Sequence, residues 1–170
     1  MTHLHRCLTV VACVLLVGVV SATPILAADG STQYDFPIVF LDLQGGAPQR
    51  VSGGATVLFG KSGKSVETRR AMEIQASAGM GGARVAGGMA FLNGPFGPDV
   101  RLSLTRTSAS PRGAAAHATY VGLEAGYIWL FLRLSAGVAQ RVAGPSGHKD
   151  TVVTWQAGVQ LPLWSRKHHE

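Results

Sequence analysis

From Phe36 to Trp164, apolar residues alternate with small or polar ones at a period of two, the pattern of strands whose successive side chains point to opposite faces. The alternation is clearest between Thr119 and Val142. There Val121, Leu123 and Ala125 oppose Tyr120, Gly122, Glu124 and Gly126. Further on, Leu130, Leu132, Leu134, Ala136 and Val138 oppose Phe131, Arg133, Ser135 and Gly137. The pattern predicts two long antiparallel strands with a tight turn near Ile128 to Leu130. A membrane helix is excluded here, because the longest uncharged apolar run, Ala125 to Leu132, covers eight residues against the roughly 20 that a span requires.

The other elements follow from the same period. Phe36 to Gln44 is a first strand, with Val39, Leu41 and Leu43 opposing Phe36, Ile38, Phe40, Asp42 and Gln44, and Gly45 to Pro48 supplies a turn. Val51 to Gly60 is a second. Arg70 to Leu92 holds two more around a turn at Met80 to Ala83; Met72, Ile74, Ala76 and Ala78 oppose Glu73, Gln75 and Ser77. The helix-favouring residues between Glu67 and Ala78 offer a competing helix, but the apolar set repeats at two and never at three and four. Asn93 to Asp99, rich in Gly and Pro, is expected to be a turn. Val100 to Thr107 is a fifth strand, Ser108 to Ala118 a patternless, mobile loop, Ala143 to Asp150 another loop, and Thr151 to Leu163 the last strand.

That predicts eight strands and no helix. Strands of this length, apolar on one face, suit a lipid environment, where an open sheet edge would leave backbone groups unpaired at several kcal/mol each. The fold class expected is therefore all-β, an eight-stranded antiparallel up-and-down transmembrane β-barrel, the smallest common size, with its interior filled by side chains. With apolar faces outward, Glu73, Gln75, Arg84, Arg101, Glu124, Arg133, Gln156 and Gln160 point inward. Buried charges are tolerable only when paired, so Glu73 and Glu124 are each expected to meet an interior arginine. Tyr120, Tyr127, Trp129, Phe131, Trp155 and Trp164 lie mostly at strand ends, where aromatic belts meet the two interfaces.

The N-terminus adds a destination. His3, His5 and Arg6 precede an apolar core from Leu8 to Val20, and small residues with possible cleavage points at Ala22, Ala27 or Ala28 follow. This is the anatomy of a secretory signal peptide. Residues 1–28 are assigned to it and 29–170 to a single barrel domain. Both cysteines, Cys7 and Cys13, leave with the leader, so no disulfide staples the mature chain. Only 14% of residues are charged and 22 are glycine, low and high respectively for a soluble domain. Losing Arg6 from the 15 basic residues leaves 14 against 9 acidic ones. That charge is scattered rather than gathered into a stripe, which argues against nucleic acid.

Catalytic motifs are weak. Gly60 to Ser65 ends like a phosphate-binding loop, but Leu58 stands where its first glycine belongs. Gly79-Met80-Gly81 starts like a dinucleotide fingerprint, but Arg84 occupies the position of its last glycine. His117, His148, His168 and His169 lack metal spacing. A Ser/His pair made by His117 or His148 with Ser108 or Ser110 would make a lipid hydrolase. No cofactor or metal is expected.

The segments TYVGLEAG (Thr119 to Gly126) and TVVTWQAGVQLPLW (Thr151 to Trp164) resemble those of the small outer-membrane β-barrel proteins of Gram-negative bacteria. The latter is similar to that family's C-terminal assembly signal, although Trp164 is out of phase with Leu163, Pro162 interrupts the strand, and six residues follow. The resemblance implies a cell outer-membrane location, lipid and the barrel-insertion machinery as partners, and a monomer. Family members serve as structural proteins, adhesion or resistance factors, narrow pores or lipid-modifying enzymes, so the class alone selects no function. The expected role is structural or loop-mediated, without catalysis. The alternatives are a soluble periplasmic barrel binding an apolar ligand, with its apolar faces inward, and an outer-membrane lipid hydrolase.

Overall fold

A computed structural model describes residues 35–60, 69–145 and 150–166. The predicted leader, the end of the phosphate-loop-like stretch, His148 and the tail histidines lie outside them. The described chain forms eight strands: β1 (Asp35–Ala47), β2 (Arg50–Gly60), β3 (Arg69–Gly79), β4 (Gly82–Leu92), β5 (Phe96–Thr107), β6 (Thr119–Trp129), β7 (Leu132–Ala143) and β8 (Thr151–Arg166). Each pairs antiparallel with its neighbours in sequence, and β1 pairs with β8, so the sheet is a closed up-and-down barrel.

The alternation decides which face goes where, and the faces are inverted relative to a water-soluble protein. Leu102, Leu123, Leu134 and Val153 are 64%, 58%, 60% and 70% exposed on the outer wall, while the residues that alternate with them are buried or, as at Gly126, Gly137, Arg141 and Gly158, half-buried. Among the strand residues whose side chains the structure describes, Arg70 on β3 and Arg106 on β5 are exposed at opposite ends of the wall, and Arg50 is exposed at the start of β2. Between these ends the wall is mostly aliphatic, aromatic or glycine, with Gln140 and Thr151 as polar exceptions towards the end that holds Arg106.

The lumen is layered. At the end holding the start of β1 and the finish of β8, Leu58, Ala71, Ala90, Leu92 and Ile128 pack with Ile38 and Phe40 into an apolar plug. A charged and amide layer fills the middle. At the other end Ala115, Ala118, Tyr120, Ala139 and Val152 form a second apolar cluster. The barrel is therefore packed through its length.

Several boundaries differ from expectation for identifiable reasons. β1 does not turn at Gly45 but continues through Ala47, leaving a two-residue turn at Pro48 and Gln49. Gly46 is needed for close strand approach, since a Cβ there would lie 2.0 Å from the Trp155 carbonyl oxygen. Asn93 to Asp99 is only partly a turn, because β5 starts at Phe96. Pro98 pairs with Tyr127 of β6 but lies beyond the last β4 register pair, Ala90 with Asp99, so its missing N–H interrupts no ladder there. The β6–β7 turn is Leu130–Phe131, with Leu130 in the left-handed region at φ 56°, so Phe131 belongs to no strand.

β8 runs on to Arg166. Val39 pairs with Trp164 and Phe40 with Pro162, so Leu163 is an extra residue in a bulge that resets the phase. A bulge also accommodates Pro162.

The loop from Ser108 to Ala118 is packed rather than free. The Thr107 hydroxyl lies 2.7 Å from the Ala115 carbonyl oxygen and 3.0 Å from that of Ala118, while the Ala115 N–H donates to the Tyr120 hydroxyl at 2.9 Å. Its backbone also reaches the neighbouring turns, from Ser108 N–H to the Gly81 oxygen and from Arg112 N–H to the Pro48 oxygen, both 3.0 Å. Tyr120 is consequently buried inside the barrel at 1% exposure, not in an outer aromatic belt. Tyr127, Trp129 and Trp155 do project outward.

Candidate functional site

The charged layer arises because β3 to β7 each place one or two long polar side chains at similar depth. Glu73 and Gln75 come from β3, Arg84 from β4, Asp99 and Arg101 from β5, Glu124 from β6 and Arg133 from β7, all buried. Arg101 sits at the centre. Its Nε is 2.8 Å from Asp99 Oδ2, its Nη1 3.6 Å from Glu73 Oε1 and its Nη2 3.4 Å from Glu124 Oε2. Nη1 also donates to Gln75 Oε1 at 2.8 Å.

The other two guanidiniums brace the first. Arg84 holds Glu124 two ways, through Nε to Oε1 at 3.2 Å and through Nη2 to Oε2. Arg133 Nη2 donates to Glu73 Oε2 at 2.7 Å and to Asp99 Oδ2 at 2.6 Å. Paired, planar, charge-assisted contacts of this kind are what make a buried charge bearable.

A second group leans on β1 and β8. Asp42 accepts from Gln75 Nε2 at 2.9 Å, from Gln160 Nε2 at 2.9 Å and from the Thr56 hydroxyl. Gln156 Nε2 donates to Gln49 Oε1 at 2.9 Å. Gln49 itself turns inward from the β1–β2 turn, donating to the carbonyl oxygens of Ser77 and Gly82 at 3.4 Å.

The eight residues singled out from the sequence thus all lie in the lumen, six of them in or beside the guanidinium cluster. Three residues central to the arrangement were missed. Asp99 was hidden inside a stretch resembling a turn, and Gln49 inside a real turn, where side chains usually face water. Asp42 shares a face with Phe36, Ile38 and Phe40, which blurs its alternation, although its period-two position was the available signal. With Asp42 and Asp99 included, the lumen buries four carboxylates and three arginines, Asp42 being held by Gln75, Gln160 and Thr56 rather than by an arginine.

Each of the three arginines is paired with at least one carboxylate, though the Nε of Arg133 has no hydrogen-bond partner among the described residues, and both lumen ends are filled by apolar clusters. In the loop proposed for a Ser/His pair, the Ser108 hydroxyl donates to the Met80 carbonyl oxygen at 2.8 Å, and the Ser110 N–H points at Ser108 Oγ. Among the described residues no group of His, Cys, Asp or Glu is arranged to hold a metal ion. No family model matches the chain, and neither the curated proteins nor the solved structures include a significant match.

Proposed function

We propose that this chain is an exported outer-membrane barrel whose wall meets lipid, whose lumen is closed, and whose role is structural or carried by its loops. The observation that carries the reading is the placement of charge: the buried acids and arginines are enclosed, while among the described residues the surface facing outward between Arg70 and Arg106 is uncharged and largely apolar. In water such a wall would be an apolar surface far larger than the few hundred Å² usual for soluble monomers. In a bilayer it is the ordinary condition.

The dimensions agree. The shortest strands have 11 residues; at about 3.3 Å per residue and a tilt of about 40° they rise about 28 Å, enough to cover an apolar band of about 25 Å. Closure leaves no backbone edge to satisfy. The loops 108–118 and 144–150 share one end, opposite the start of β1 and the finish of β8. In barrels inserted from the periplasm the longer loops face outside; the longest connection, 108–118, is at this end, against eight residues between β2 and β3 at the other, so this end is assigned to the cell exterior. The insertion machinery acts on the chain during assembly, and the finished barrel is a monomer in lipid. A lumen filled with paired charges and plugged at both ends conducts neither ions nor solutes.

Membrane fractionation with gel migration of heated and unheated samples tests this reading. The barrel is expected in the membrane fraction and should migrate differently before and after heating. Recovery in the soluble fraction without a shift would overturn it.

A further inference from the structure

At the loop end the outer wall carries a basic cleft that the lumen network does not use. It is a hollow of about 300 Å³ lined by Arg50, Val51 and Arg112. Gly45 of β1 pairs with Val51 of β2 on one side and with Ala157 of β8 on the other. Having no side chain, it adds no bulk to the wall between Val51 and Ala157. Arg112 reaches over from the 108–118 loop until its guanidinium carbon stands 5.9 Å from the centre of the Trp155 ring, within range of a cation–π contact.

Arg50 starts β2 at φ 63°, a conformation that glycine or asparagine adopts at lower cost, and its side chain is exposed. Among the described residues neither Arg50 nor Arg112 is ion-paired, whereas Arg141, at the same end, is held by Asp150.

We propose that this cleft binds the phosphate headgroup of an anionic lipid in the leaflet at the loop end. The inference rests on the membrane reading above. Guanidiniums match phosphate oxygens with paired N–H donors, and here two converge where the apolar wall gives way to loops. Val51 presents an apolar side chain to the outside, Gly45 beside it carries none, and Trp155 lies under the Arg112 guanidinium, so apolar surface of the kind an acyl chain covers adjoins the two cations. Phosphate above and hydrocarbon below is the chemistry of a lipid with a terminal phosphate. A free anion would use only the upper half.

The test uses the full barrel in phosphatidylcholine bilayers, with Trp129→Phe and Trp164→Phe so that Trp155 is the only indole. Brominated phosphatidic acid or brominated phosphatidylcholine is added at equal mole fraction, and the quenching of Trp155 is compared. Phosphatidic acid is expected to be preferred. The preference should fall about fivefold for Arg50→Gln or Arg112→Gln and about twenty-five-fold for both. Arg106→Gln, outside the cleft, should leave it nearly unchanged, and lipid retention by the unsubstituted barrel in native mass spectrometry should follow the same order.

Equal quenching by the two lipids in a normally inserted barrel would overturn the proposal, as would an Arg106→Gln loss as large as that of Arg112→Gln. Inorganic phosphate abolishing the preference at concentrations where sulfate has no effect would assign the cleft to a free anion instead, which also overturns it. A barrel that neither inserts nor shows quenching by brominated phosphatidylcholine would overturn the membrane reading itself.

Discussion

Arg133 on β7 forms an ion pair with Glu73 on β3, four strands away around the eight-stranded barrel and therefore on the far side of the lumen. The pair is a strut across the cylinder, and Asp99 locks it to the Arg101 centre. Replacing Arg133 with Met leaves Glu73 and Asp99 facing each other with less positive charge, so unfolding in urea should show a loss of about 3–5 kcal/mol. Pairing Arg133→Met with Glu73→Gln should restore part of that loss, giving a coupling above about 1 kcal/mol in a double-mutant cycle. Additive losses would mean that the contact carries no specific stability.

Adjacent glycines on β4 should respond in opposite ways. A Cβ on inward Gly88 would stand 2.0 Å from the Val100 carbonyl oxygen and 2.7 Å from the Arg101 Cα, whereas one on outward Gly87 meets nothing nearer than 3.6 Å. Gly88→Ala is expected to weaken or abolish the compact gel band by forcing β4 away from β5. Gly87→Ala should fold normally and gain about 0.5–1 kcal/mol from reduced backbone freedom.

Gln44 offers a stabilising change. Its amide is buried, and neither its oxygen nor its nitrogen has a partner among the described residues. A buried polar group without a hydrogen bond costs about 1–3 kcal/mol. Gln44→Leu should therefore leave the urea midpoint unchanged or raise it, while Gln75→Leu, which removes contacts to Asp42, Arg84 and Arg101, should lower it sharply. A large loss from Gln44→Leu would mean that its amide is satisfied.

Most of the architecture was legible because one physical rule governs it. A strand with one face in each environment writes its fold at period two, and Thr119–Trp129 and Thr151–Leu161 follow that rule except at their ends, where Tyr120, Ile128 and Val152 fill the apolar plugs of the lumen. Legibility failed where another constraint overrode the period. Gly46 and Gly97-Pro98 look like turn residues but serve close strand contact and a ladder end, which hid the length of β1 and the place of Asp99. Leu163 looked like a phase error and is a bulge. Gln49 and the alanines of the 108–118 loop acquire their positions only from contacts across the barrel mouth, and no local pattern records those. The inward face of β6 carried both Tyr120 and Glu124 in plain view, yet the aromatic-belt expectation drew Tyr120 outward against its own alternation.

Tyr120 also makes the loop testable. Tyr120→Phe keeps the ring but removes the acceptor of the Ala115 N–H, at a cost of about 1 kcal/mol. The folded barrel should persist while protease cleavage between Ser108 and Ala118 accelerates. Unchanged cleavage would show that the hydroxyl does not hold the loop.

The outward direction of the apolar face carries the whole account, and an arginine placed on it reads that direction most directly. Leu123 lies midway along β6 on the outer wall, and Thr119 lies at the loop end of the same strand. In bilayers, Leu123→Arg should cost about 2–4 kcal/mol of folding stability and Thr119→Arg about 0–1, the depth profile of a lipid-facing wall. A barrel whose wall meets water would tolerate both within about 0.5 kcal/mol, and equal, negligible losses at the two sites would contradict the account.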